Sequence, residues 1–242
     1  MVCCGSVSSY KENYVSNLPH ENVCGIWNPS TNEDIPPWVG MIEVSNSREI
    51  CVGALINYQY VISTSICTGR DAKRLNIKFG QCITHDSRKS ECHFKVKQVK
   101  LFPLHNYLHS EDTGIVLLKL ARTTTKFNRI PICLPQDQLA VRQRVNLMGL
   151  ERSSYSEWTG NDISGSALFN DDCNFEADLK YLCFKSENMH FVPYQYILSK
   201  FDDNQWYLEG IFNWKEWNGS PSRNMYAIYV YKFTSWIKSN IS

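Results

Sequence analysis

The chain has 242 residues, which is enough for one large all-β domain or for two ordinary domains. Hydrophobic residues make up 43% of it and charged residues 20%, as in a folded globular protein. Its 25 Lys and Arg residues nearly cancel its 24 Asp and Glu residues, so the overall charge argues against nucleic acid or an anionic membrane as a partner. A membrane span is not expected either, because no apolar run approaches the ~20 residues that cross a bilayer.

Ten cysteines are dispersed along the chain, and none of them forms a C-x-x-C pair. An even number of dispersed cysteines without zinc spacing favours disulfides and an oxidising compartment, and no metal or other cofactor is expected. Residues 1–20, however, contain no apolar run of the kind that a signal peptide needs. The protein is therefore either cytosolic with reduced cysteines, or secreted with a leader that precedes this chain, and we favour the second interpretation.

Apolar, β-prone runs recur from residue 39 onward. Two of them, residues 52–56 and 60–63, flank a polar turn at residues 57–59 and predict a β-hairpin with Cys51 and Cys67 at its two ends. Further strands are predicted at residues 39–44, 75–79, 93–101, 206–214 and 226–231. Near the C-terminus, apolar residues at close to helical spacing predict one helix over residues 232–241, namely Phe233, Trp236, Ile237 and Ile241.

The hairpin resembles the segment that carries the catalytic histidine in chymotrypsin-like serine proteases, C-G-G-x-L-I followed by V-L-T-A-A-H-C. Here the two parts read Cys51-Val-Gly-Ala-Leu-Ile and Val61-Ile-Ser-Thr-Ser-Ile-Cys67. Residues 114–120 are similar to the family's D-I-A-L-L-K-L, residues 130–135 to P-I-C-L-P, and residues 206–214 to W-x-L-x-G-I-V-S-W. The resemblance covers residues 24–242 and implies an all-β fold of two six-stranded antiparallel barrels with a C-terminal helix.

The resemblance also implies four disulfides, each stabilising the fold by about 2–4 kcal/mol if oxidised. The pairs are Cys51–Cys67, Cys24–Cys133, Cys173–Cys183 and Cys82–Cys92. Residues 1–23, with their Cys3-Cys4 pair, resemble the end of a clip domain and its linker, a disulfide module found upstream of arthropod immune proteases. The alternative for this segment is a disordered tail with two free thiols. The expected organisation is thus a clip remnant and linker over residues 1–23 and a degenerate peptidase domain over residues 24–242.

Two positions of the family's catalytic triad carry residues that cannot perform its chemistry. The general-base position falls at Ile66, and an isoleucine can neither accept nor donate a proton. The carboxylate position falls at Gly114. Asp112 stands two residues earlier, but without a histidine to orient it would have no triad role.

The nucleophile position has a decoy. The residues around Ser164 look like the family's D-S-G-G-P-L, but they precede the cysteine loop at residues 173–183, whereas the family's serine follows it. Counting back from the strand at residues 206–214 places the nucleophile at Tyr194 instead, and we prefer this alignment. Under either alignment a base is missing, and an unassisted hydroxyl is a poor nucleophile.

The supporting parts of the family's site are also substituted. On the preferred alignment the oxyanion glycines become Val192, Gln195 and Tyr196, and the aspartate that would receive an activated N-terminus becomes Pro193. The specificity pocket is predicted to be blocked, with positions at Asn188, Lys215 and Met225. An activation site is not expected, because no Lys or Arg occurs between Lys11 and Arg48.

The resemblance therefore predicts a non-catalytic serine protease homologue. It implies a secreted binding or cofactor protein in an arthropod immune cascade of the melanisation type, whose partners are cascade proteases or their substrates and not nucleic acid. One alternative is an active serine endopeptidase whose site is misaligned above. Another is a decayed or partial gene product.

Overall fold

We describe the fold from a computed structural model of the chain. The structure describes residues 18–19, 23–28, 35–45, 50–68, 71–84, 90–103, 114–127, 129–140, 142–152, 158–168, 181–185, 196–212 and 224–241.

Six antiparallel strands form the first barrel. They are β1 (Val39–Val44), β2 (Ile50–Asn57), β3 (Tyr60–Thr64), β4 (Leu75–Phe79), β5 (Phe94–Leu101) and β6 (Ile115–Leu120). The strand order is β1-β2-β3-β6-β5-β4, and pairing of β1 with β4 closes the barrel. Valine, isoleucine and leucine dominate these strands, and their inward side chains fill the closed interior.

Six more antiparallel strands form the second barrel, so the predicted fold class is confirmed. They are β7 (Arg144–Arg152), β8 (Trp158–Leu168), β9 (Tyr181–Lys185), β10 (Tyr196–Asp202), β11 (Gln205–Phe212) and β12 (Asn224–Tyr229). The strand order is β10-β11-β12-β9-β8-β7, closed by pairing of β10 with β7.

The helices are short. They are α1 (Ser65–Thr68), α2 (Gln81–Thr84) and α3 (Thr234–Asn240), with 3-10 turns at Ala72–Arg74, Ser90–Cys92, Thr125–Phe127 and Val230–Phe233. The C-terminal helix is shorter than predicted, because its first turn is wound as the 3-10 turn that precedes Thr234. α3 packs on the first barrel, where Phe102 makes edge contacts with Phe233 and Trp236 at centroid distances of 4.9 and 5.3 Å.

The predicted hairpin is formed by β2 and β3. The side-chain oxygen of Asn57 accepts hydrogen bonds from the backbone N–H groups of Gln59 (2.8 Å) and Tyr60 (2.7 Å) and so holds the turn. Cys51 on β2 is bonded to Cys67 in α1, as predicted. The predicted Cys24–Cys133 and Cys82–Cys92 disulfides are also formed. The remaining predicted pair, Cys173–Cys183, lies outside the residues whose side chains are described.

Residues 131–133, which we call the strap, connect the two barrels. The N–H of Ile132 donates to the carbonyl of Leu55 on β2 (2.9 Å). The N–H of Cys133 donates to the carbonyl of Trp206 on β11 (3.1 Å), and its carbonyl accepts from Leu208 (2.8 Å). Apolar side chains of both barrels belong to one buried cluster around this strap.

Candidate active-site region

α1 places the position of the family's general base. It follows β3 directly and is held there by the Cys51–Cys67 disulfide and by a hydrogen bond from the Thr68 hydroxyl to the carbonyl of Thr64 (3.2 Å). Ile66 lies in the middle of this turn. The structure describes its backbone, and its side chain lies outside the described part of the chain.

Gly114 lies against the same turn. The N–H of Ser65 donates to the carbonyl of Gly114 (2.7 Å), and the N–H of Gly114 donates to the hydroxyl of Ser65 (2.7 Å). In the next residue pair, Thr64 faces Ile115 in the β3–β6 ladder. The structure therefore brings together the predicted base and carboxylate positions, which are 48 residues apart in the sequence (114 − 66).

The chemistry available at this pair of positions is limited. Isoleucine carries no group that exchanges a proton, and glycine carries no carboxylate that could orient a base. Gly114 itself uses both its N–H and its carbonyl in bonds to Ser65. The two hydrogen bonds between Ser65 and Gly114 therefore join the end of β3 to the start of β6.

The structure places two of the other predicted residues by backbone alone. Ser164 lies in β8, opposite Asn146 in a regular ladder with β7, and Met225 lies in β12, opposite Phe184. The remaining predicted positions, Asp112, Asn188, Pro193, Tyr194 and Lys215, lie outside the described residues, as do Val192 and Gln195. Tyr196 begins β10 and is 3% exposed.

The sequence did not point to Glu209, a carboxyl group among the described residues that is almost fully buried and has a strongly raised pKa. Glu209 lies on β11 at a bulge, where Ser199 faces Leu208 and Leu198 faces Gly210, so that Glu209 is the extra residue. It is 1% exposed, and its Oε2 atom has no hydrogen-bond partner in the described part of the chain. Burial, which disfavours the charged form, raises the pKa of Glu209 from 4.5 to about 8.

Two charged residues of β10, Lys200 and Asp202, also act on the pKa of Glu209, to a smaller extent than burial does. Lys200 forms an ion pair with Asp202 at 2.9 Å. Burial alone would lower the pKa of Lys200, but the hydrogen bond and the charge of Asp202 outweigh it and the pKa is raised. The same hydrogen bond lowers the pKa of Asp202. Tyr229, whose hydroxyl accepts from the N–H of Leu139 (2.7 Å), has its pKa raised by burial to about 12.

A charged residue inside the otherwise apolar run from Trp206 to Phe212 was the signal that could have pointed to Glu209.

Within the described residues, no group of three His, Cys, Asp or Glu side chains converges as a metal ion would require. In the same part of the chain, no helix has the length and apolar character needed to cross a membrane.

Comparison with known proteins gives several matches. The family model described as Trypsin matches residues 26–187. The Factor V activator of Macrovipera lebetinus is 30% identical over 130 residues, covering 53% of this chain and 49% of that protein. Vitamin K-dependent protein C of Mus musculus is 30% identical over 112 residues, covering 46% and 24%. Mannan-binding lectin serine protease 1 of Mus musculus is 22% identical over 234 residues, covering 84% and 33%. The chain thus spans about half of the length of these relatives or less.

Proposed function

The chain belongs to the trypsin family of serine proteases, and from that premise we propose that it is a non-catalytic member that acts by binding other proteins. The observation that carries the proposal is the bracing of Ser65 and Gly114 beside Ile66. On the alignment proposed above, the positions of the family's histidine and aspartate are occupied by isoleucine and glycine, and neither side chain can exchange a proton. A serine hydroxyl without a neighbouring base stays protonated at neutral pH and is a poor nucleophile.

The intact scaffold supports a role in binding. Both barrels are closed, and three disulfides are formed among the described residues. Disulfides of this kind persist in oxidising compartments, which supports secretion. A stable scaffold that has kept its strands while its proton-transfer groups are replaced is suited to recognising a protein without cutting it.

The proposed setting is an arthropod immune cascade of the melanisation type. It rests on the resemblance of residues 1–23, with Cys3-Cys4, to the end of a clip domain. The proposed partners are cascade proteases or their substrates. Trypsin-family relatives whose names denote action on another protein, such as the Factor V activator, make a protein partner the natural class.

The test is labelling of the purified chain with a fluorophosphonate probe, together with hydrolysis of arginine, lysine and aromatic peptide esters. We expect no label and no turnover above that of heat-denatured protein. Ser164→Ala and Ser166→Ala form a matched pair of serines on β8. Labelling or turnover that disappears in Ser164→Ala but persists in Ser166→Ala would overturn the proposal in favour of an active endopeptidase.

A second arm tests the binding role. The purified chain is added to arthropod extracellular fluid, and melanin formation is followed against an equal amount of heat-denatured chain. We expect the folded chain to change the rate of melanin formation without any esterase activity of its own. An unchanged rate would contradict a role in a melanisation cascade. It would not affect the proposal that the chain is non-catalytic, which the fluorophosphonate probe tests separately.

A further inference from the structure

The outward side of β5 carries a row of lysines. Along this strand Phe94 and Val96 are buried in the first barrel, while Lys95 and Lys97 between and after them are exposed. Both ammonium groups therefore reach solvent, although Lys97 is the extra residue of a bulge, where Val96 faces Leu120 and Gln98 faces Lys119 on β6. Neither lysine forms an ion pair among the residues that the structure describes.

Basic side chains on a neighbouring element extend this row. The 3-10 turn Ala72–Arg74 packs beside β5 and carries the exposed Lys73 and Arg74. We call the surface formed by Lys73, Arg74, Lys95 and Lys97 the basic face.

Acidic groups do not balance this surface. In the described ranges 71–84, 90–103 and 114–127 there are nine Lys and Arg residues and two acidic residues, Asp71 and Glu91. Asp71 is engaged in capping the 3-10 turn through the N–H of Lys73 (3.0 Å). Glu43 on β1 adjoins the face, but Lys78 pairs with it at 2.8 Å. The near-neutral total charge of the chain therefore conceals a local excess of positive charge.

We propose that the basic face binds a sulfated polysaccharide. Extended rows of lysine match a linear polyanion, because each ammonium group can meet a successive sulfate along the chain without fixed geometry. This binding does not depend on the triad positions and would hold whether or not the chain is catalytic.

A polysaccharide fits this surface better than a nucleic acid does. Single-stranded nucleic acids are held largely by stacking of bases on exposed aromatic rings. Phe94 is 2% exposed, and the exposed large apolar residues among those described, Val23, Ile26 and Phe201, are not on β5. Proteins that recognise duplex DNA place a helix or a two-stranded ribbon in its groove. The longest helix among the described residues, α3, has only seven residues. The basic face thus offers charge without a stacking platform.

The test is retention on immobilised heparin at physiological salt, followed by elution with increasing salt. The variant Lys95→Ser/Lys97→Ser removes two charges from the basic face. The matched control Lys232→Ser/Lys238→Ser removes two exposed lysines from the C-terminal 3-10 turn and α3. We expect the wild type and the control to bind with similar affinity and the β5 variant to bind about tenfold more weakly. Unfolding curves of both variants check that each remains folded.

Three results would overturn the proposal. The first is failure of the wild-type chain to be retained at physiological salt. The second is an equal loss in both variants, which would indicate a response to net charge alone. The third is competition by single-stranded DNA of equal charge that matches or exceeds competition by free heparin, which would identify a nucleic acid surface instead.

Discussion

Asn57 and Ser63 in the first barrel and Glu209 in the second barrel are polar residues with 5% exposure or less. Asn57 accepts two backbone N–H groups in its turn, and the Ser63 hydroxyl donates to the carbonyl of Val52 at 3.0 Å. Glu209 Oε2 lacks such a partner among the described residues. Thr64 Oγ1 in the first barrel lacks one too, but a hydroxyl does not ionise at physiological pH. Of these four, only Glu209 has a burial cost that depends on pH.

The cause of this difference is the bulge in β11. In the first barrel, Asn57 is the last residue of its strand and can bond to its own turn. In the second barrel, Glu209 is the extra residue of the bulge, and its carboxyl is buried on a strand that is paired on both sides. Of the four residues compared, the three in the first barrel are neutral and the one in the second barrel is titratable, so the pH dependence among them should originate in the second barrel.

The largest expected effect is the pH dependence carried by Glu209. Its folded pKa of about 8 lies above the ordinary value of 4.5, so the folded protein binds more protons than the unfolded chain between these values. Stability from this group is therefore fully present below about pH 4.5 and is lost as the pH rises through 8. The loss is about 3–5 kcal/mol at most. Two neighbouring groups do not share this pH range, because the pKa of Asp202 is lowered from its ordinary value and the pKa of Tyr229 is raised to about 12.

Urea unfolding at pH 5 and pH 9 measures this loss. We expect Glu209→Gln to remove most of the decline between the two pH values, because the amide stays neutral throughout. The control Glu91→Gln, at an exposed residue, should decline as the wild type does. Parallel declines in wild type and Glu209→Gln would show that Glu209 does not carry the effect.

An intermediate effect is expected from the disulfide of the hairpin. The double variant Cys51→Ser/Cys67→Ser opens a link with a sequence separation of 16 residues. The entropy of the unfolded chain then rises, and the free energy of unfolding should fall by about 3 kcal/mol. Urea unfolding under oxidising conditions gives the value.

The matched variant for this prediction is Cys82→Ser/Cys92→Ser, which opens a shorter link of 10 residues in the same barrel. Chain entropy predicts a slightly smaller loss for the shorter link. A clearly larger loss from the shorter link would mean that native contacts, and not chain entropy, determine the contribution of these bonds.

The smallest expected effect concerns the turn of the first barrel. Asn57→Ala leaves the N–H groups of Gln59 and Tyr60 without their acceptor, which should cost about 1–2 kcal/mol in free energy of unfolding. Gln59→Ala removes one longer bond, from its side chain to the carbonyl of Leu120 at 3.3 Å, and should cost less. Thermal unfolding of both variants at one pH compares them. Equal losses would contradict the role assigned to Asn57.

The strands of the first barrel could be predicted well from the sequence, whereas part of the second could not. Residues 52–56 and 60–63 flank a recognisable turn, and both became strands. β8 was not predicted as a strand, because its Gly160, Asn161, Asp162 and Gly165 have low strand propensity. Its nine-residue pairing with β7 outweighs that propensity.

Only part of the candidate site could be predicted from the sequence. The neighbourhood of Ile66 and Gly114 came from the family resemblance, since no periodicity in the sequence links residues so far apart. Glu209 was not predicted, because an alternating pattern assigns outward residues correctly only in a ladder without a bulge. The assignment of the nucleophile position to Tyr194 remains a prediction.

The strap has a consequence for how the molecule can come apart. Its Ile132 bonds to β2, and its Cys133 bonds to Leu208, the residue before Glu209. Opening the second barrel at the bulge would release the bonds of Cys133, the residue next to Ile132, whose own bond holds the strand that carries Cys51 in the first barrel. We therefore expect the two barrels to unfold together, so that the proton on a single buried carboxyl in one barrel contributes to the stability of the hairpin in the other.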